Sequence, residues 1–109
     1  MPALNLNKID VHIKTPIINC TPKGGHVHAQ HHNDQMRWVS NDAPFTLAFA
    51  DLDGTGGAIW PFVEAQPGWP VTDTGPLTLD VNKLPTYLKY TVKADQCGPL
   101  DPIIILDRN

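Results

Sequence analysis

The chain has a single glutamate, Glu64, only two cysteines, and no window in which apolar residues recur at helical spacing over three turns. Each shortage removes a class of protein. Without apolar residues every three to four positions there is no stripe to bury, so the sequence predicts little helix. A glycosidase-type carboxylate pair would have to be drawn from aspartates, all of which sit in turn-like or exposed settings. Basic residues are also few. Eight Lys and Arg stand against eleven Asp and Glu, for a net charge of -3, and no Lys/Arg run offers a footprint for nucleic acid. No apolar run approaches the roughly 18 residues that a membrane span needs. The opening "MPALNLNKID" lacks the basic start and apolar core of a secretory signal, so the chain is expected to be soluble and cytoplasmic, or already processed. Cys20 and Cys97 are too few for a disulfide scaffold. Both lie beside turn residues ("NCTP", "QCGP"), where a cross-link would be worth about 4 kcal/mol on a chain-entropy view, whereas a reducing cytosol favours free thiols. Neither thiol nor Ser40 has the neighbouring base that activates a nucleophile, and no Gly-rich phosphate loop lies between a strand and a helix. The expectation is a protein that is not an enzyme.

What is present is punctuation and alternation. Eleven prolines and eight glycines are spread along the chain. Between them, apolar residues recur at every second position, the period of a strand with one face buried. In "KIDVHIK", Ile9, Val11 and Ile13 point one way, and Asp10, His12 and Lys14 the other. "MRWVS" and "PFTLAF", the latter with Phe45, Leu47 and Phe49 on one face, are joined by the turn-prone "SNDAP" and predict a hairpin or a sheet corner. From Asp51 to Gly75 the period is lost, as in a long connection. It returns in "PLTLDV" and "YLKYTVK", and the closing "IIIL" suits a strand covered on both faces. About seven short strands without a βαβ rhythm predict an all-β, antiparallel Greek-key sandwich with an immunoglobulin-like architecture. A chain of 109 residues supports one such domain, residues 1–109, around a single core.

Two stretches, "RWVSNDAPFTLAF" and "YLKYTVKADQCGPLDPIIIL", resemble the middle and the closing hairpin of a cupredoxin-like domain, over about a third of the chain. In copper-binding members, a histidine opens the strand after the Asn/Asp turn. A cysteine, a histidine and usually a methionine follow on the closing hairpin. Here those positions hold Phe45, Val92, Asp95 or Gln96, and Leu100, and Cys97 has no His or Met after it. A His₂Cys copper set cannot be assembled from them. The resemblance therefore implies the sandwich without type 1 copper and without electron transfer. "PFTLAF", the later Pro61 and Phe62, and the terminal "DPIII" are also similar to small bacterial domains of this fold, a likeness that carries no mechanism.

Four of the five histidines crowd into "GGHVHAQHH", Gly24 to His32. In an extended segment His26, His28 and His32 share one face with Gln30, and His26 and His28 stand about 7 Å apart. Two imidazoles at i and i+2, with His32 or Asp34 as a third ligand, are how many β-sheet metal sites begin. Zn, Cu or Ni at His26, His28 and His32 is thus the alternative to a protein without a cofactor. The spacing is also similar to the first cupin motif, but Glu64 is the next glutamate. The plainer reading is a set of solvated side chains that discourage pairing at a sheet edge. His12, on the polar face of the first strand, reads as a surface residue. "DLDGTGGAIWPF" opens like a calcium loop with Asp51, Asp53 and Gly56, yet Phe62 stands where a bidentate glutamate is needed.

Trp60, Phe62 and Trp69 fall within one proline-framed loop. Rigid aromatics of this kind lose little entropy on binding and make efficient anchors, unless they fold back as a lid over the end of the sandwich. Taken together, the sequence predicts a non-catalytic binding or assembly module. Its contacts with a protein partner or a second copy would run through Trp60, Phe62 and Trp69.

Overall fold

A computed structural model describes residues 6–30, 34–52, 57–80, 82–83 and 87–107, and it is all-β. The strands are β1 (Leu6–Lys14), β2 (Ile17–Thr21), β3 (Val27–Gln30), β4 (Gln35–Val39), β5 (Thr46–Asp51), β6 (Leu77–Thr78), β7 (Tyr87–Lys93) and β8 (Ile103–Asp107). They form two four-stranded sheets, ordered β2-β1-β4-β6 and β3-β8-β7-β5. The alternating residues turn inward as their spacing requires. Ile9, Val11, Met36 and Trp38 from the first sheet meet Leu47, Phe49, Leu88, Tyr90, Val92 and Ile104 from the second in one buried cluster. Trp38 lies at its centre, edge-on to Tyr90 at 5.2 Å, Phe49 at 5.7 Å and Phe62 at 6.1 Å between ring centroids. Such geometry directs the ring edges at neighbouring π faces.

Both sheets are mixed, which corrects the expectation of purely antiparallel pairing. β1 runs parallel to β4 and β3 parallel to β8. The cause is topological. The chain leaves the first sheet after β2, contributes β3 to the second, and returns as β4 alongside β1. "MRWVS" and "PFTLAF" are a sheet corner, since β4 and β5 belong to different sheets. Ser40 makes that corner by accepting the Asp42 N–H at 3.1 Å on its Oγ, a local turn that needs no strand pairing. The expectation that "IIIL" is covered on both faces fails at Ile105, which is 42% exposed beside the fully buried Ile104. β8 has one wet face.

The crossing from β2 to β3 is a single 3-10 turn, Lys23–Gly25, in which Lys23, Gly24 and Gly25 have φ of 55, 67 and 87°. Left-handed backbone of this kind is easiest for glycine. The turn brings the Gly25 carbonyl against the Tyr90 hydroxyl, which donates to it inside the core. Cys20 and Cys97 are both free thiols, the first buried and the second partly so. Burial pushes the Cys20 thiol up to about 11, which leaves it protonated and unreactive at neutral pH.

Candidate functional site

His28 in β3 is exposed while its neighbour Ala29 is buried, as the alternation requires, and His26, just before the strand, is exposed as well. One contact decides what His26 can do. Its Nδ1 accepts the backbone N–H of Ile103 at 3.1 Å, so the proton of the neutral ring sits on Nε2. Binding a metal through Nε2 would move that proton to Nδ1, directly against the Ile103 donor. As placed, the ring offers a hydrogen-bond donor to its surroundings and not a lone pair. His32, the third ligand of the predicted set, lies outside the described residues, as do Asp53 and Gly56 of the calcium-like loop. Among the described residues no three His, Cys, Asp or Glu side chains converge. His12 pairs through Nε2 with Thr21 Oγ1 at 2.9 Å on the outer face.

The positions that the copper ligands would occupy come together at one end of the second sheet. Val92 forms an antiparallel bridge with Leu100, and Thr46, next to Phe45, pairs with Lys93. Phe45 and Val92 are wholly buried. An aromatic ring, an isopropyl group and an isobutyl group supply no nitrogen or sulfur donor, and these residues do not fit a copper ion.

The aromatic loop packs along the outer edge of β5. In the β5–β7 ladder, the N–H and C=O of Val92 both bond to Leu100 and the Tyr90 N–H donates to Pro102 O. Leu47 and Phe49, which face Val92 and Tyr90, must therefore direct their own N–H and C=O groups away from β7. Loop residues meet part of that edge. Phe45 exchanges two hydrogen bonds with Val71, and Phe49 O accepts the Ile59 N–H at 3.0 Å. Between them the Leu47 N–H and C=O, and the Phe49 N–H, are bonded by none of the described residues. The opening is about 14 Å long, from the residue paired on one side to the residue paired on the other. It forms a cavity of about 380 Å³ lined by Leu47, Ala48, Ala58, Gln66, Trp60 and Trp69.

The two indoles hold the walls. Trp60 packs edge-on to Phe62 at 5.0 Å and Phe49 at 5.6 Å, and its Nε1 donates to Glu64 O at 2.6 Å. Trp69 meets Trp60 at 6.4 Å and donates to Gln66 Oε1 at 3.3 Å. Both are half-buried, with one side against the core and the other on the cavity. The lone glutamate fastens this loop to β6. Its carboxylate accepts the Thr78 N–H at 2.6 Å and the Thr78 Oγ1 hydroxyl at 2.8 Å. Burial alone would raise the Glu64 pKa, but these bonds to the ionised form win and lower it. On the far side of the loop Asp73 takes a two-pronged bond from Arg37, which holds its carboxyl down at about 2.

No family model, curated protein or solved structure matches this chain. The site must be judged on its own residues.

Of the three predicted contact residues, Trp60 and Trp69 line the notch, whereas Phe62 is 1% exposed and belongs to the core. That placement corrects its assignment as an anchor: it bridges Leu79 and props Trp60 from beneath. The sequence reading missed Leu47, because an unpaired backbone group has no signature in side-chain type. It also missed an outward apolar group at the opposite end of this sheet, where Tyr87 pairs with Ile105 and Leu52 donates its N–H to Tyr87 O.

Proposed function

We propose that the protein is a non-catalytic binding module, built on a cupredoxin-like sandwich without type 1 copper, that takes an extended segment of a protein partner in the notch beside Leu47. The observation that carries this reading is the Leu47 main-chain donor and acceptor, bonded by none of the described residues, on a cavity walled by two half-exposed indoles. A strand laid antiparallel to β5 would supply one C=O and one N–H to Leu47, and its side chains would fall on Trp60 and Trp69. Main-chain bonds of this kind give affinity, and the flanking pockets give selectivity. The absence of chemistry in the reading is supported by the occupation of the nearby polar groups, since Glu64 and Gln66 are already engaged within the loop. The cupredoxin-like part rests on the resemblance of "RWVSNDAPFTLAF" and "YLKYTVKADQCGPLDPIIIL" to that fold.

Peptides selected from a random library against the whole protein test this reading. Selected peptides are expected to lose at least about tenfold in affinity on Trp69→Ala, the loss typical of a central aromatic anchor, while the melting temperature of the variant stays close to that of the parent. Equal binding by the variant, or collapse of its stability, would make Trp69 a lid residue and remove the notch as the contact surface. Concentration-dependent dimerisation that the same peptides reverse would identify the partner as a second copy of this chain and overturn the separate partner proposed here.

A further inference from the structure

We propose that the cavity where β1 and β3 separate binds a dianionic oxyanion, a phosphate or phosphate-monoester group. The site is independent of the notch. β2 pairs with β1 only from Asp10 onward, because the chain turns away at Pro22 to cross between the sheets. The first half of β1 is thus bordered on one side by β4 and on the other by a cavity of about 320 Å³, lined by Lys8, Pro22, Lys23, His26, Val27 and His28 among others.

The chemistry of that lining has one sign. Among the described residues no carboxylate lines the cavity. Asn7, also on the lining, donates from its amide to Gln35 O at 3.2 Å and carries no charge. Lys8 lies 3.6 Å from Asp10, but both side chains are about half exposed, at 57% and 47%, and a pair so open to water competes weakly for its ammonium group. Lys23 is held at the cavity by its place in the left-handed turn. His26 decides between an anion and a cation. Because its Nδ1 is taken up by the Ile103 N–H, the ring's free polar edge is an N–H donor. Two ammonium groups and an imidazole N–H repel a metal ion and complement an acceptor that carries two negative charges.

The test is an NMR titration of the full chain with inorganic phosphate at neutral pH and constant ionic strength, with phenyl phosphate as a parallel arm. The expected result is a set of saturating shifts centred on Lys8 and the Lys23–His28 segment, with Kd on the order of 1 mM or tighter. A Lys8→Gln, Lys23→Gln double variant that keeps the parent spectrum elsewhere should bind at least about tenfold more weakly, as loss of charge-assisted bonds requires. Tighter binding of phenyl phosphate would place the group on a larger ligand, and equal binding would identify the free anion. Shifts that rise without saturating, shifts unaffected by the double variant, or tighter saturable binding of zinc at His26 and His28 would each overturn the proposal.

Discussion

Gly25→Ala is expected to destabilise the protein by more than about 3 kcal/mol, because two independent penalties fall on one methyl group. The first is conformational. Gly25 has φ of +87°, where an L side chain crowds the backbone. The second is steric: a Cβ at this position would lie 2.5 Å from Tyr90 Oη, 2.9 Å from Pro102 Cγ and 3.0 Å from Cys20 Cβ. None of these can yield cheaply, since Tyr90 is fully buried among Trp38 and Phe49. Tyr90→Phe separates the two penalties. Alone it should cost about 1–3 kcal/mol, the usual consequence of leaving a buried carbonyl without its donor. In that background Gly25→Ala should cost less than it does in the parent, since the nearest atom is gone and the two sites share a contact. Urea denaturation of the four proteins gives the comparison, and an alanine tolerated within about 0.5 kcal/mol would contradict the close approach at this crossing.

Trp38→Ala is expected to cost about 3–5 kcal/mol, at the upper end of large-to-small changes in a core. Trp38 is wholly buried and is the ring that both sheets share, touching Phe49 and Tyr90 of the second sheet and Phe62 of the connecting loop. Removing it leaves a cavity whose walls belong to different layers and cannot close together. The midpoint of denaturation should fall far more than for Trp69→Ala, although both changes delete an indole. Comparable losses for the two would mean that Trp69 is as deep in the core as Trp38, contrary to its placement on the notch.

The strands that one-sided burial imprints were legible in the sequence. Ile9, Val11 and Ile13, and later Leu88, Tyr90 and Val92, alternate because the core takes every second residue. Strand direction was not legible, since a strand alternates in the same way whether its neighbour is parallel or antiparallel. β2 escaped notice for a related reason. Ile17, 66% exposed, adjoins the buried Ile18, and Cys20 serves as the next core residue, so the apolar letters do not alternate although the burial does. In "IWPFVEAQPGW" no period exists to separate Phe62, which sinks into the core, from Trp60 and Trp69, which stop at its rim. The histidines were visible as a cluster, but their chemistry depends on Ile103, seventy-seven residues away, and local spacing carries no trace of it. Leu47 is the extreme case. Its importance lies in which loop residues fail to reach it.

Backbone hydrogen exchange at Leu47, followed by NMR in the free protein and again with a selected peptide bound, tests the central claim most directly. The expected result is that the Leu47 amide exchanges much faster than those of Phe45 and Ala48 in the free protein, because unlike them it has no partner among the described residues, and slows at least about tenfold in the complex as the added strand supplies one. A Leu47 amide already as protected as its neighbours in the free chain, or one that a bound peptide leaves unchanged, would contradict the notch as the place where this protein meets its partner.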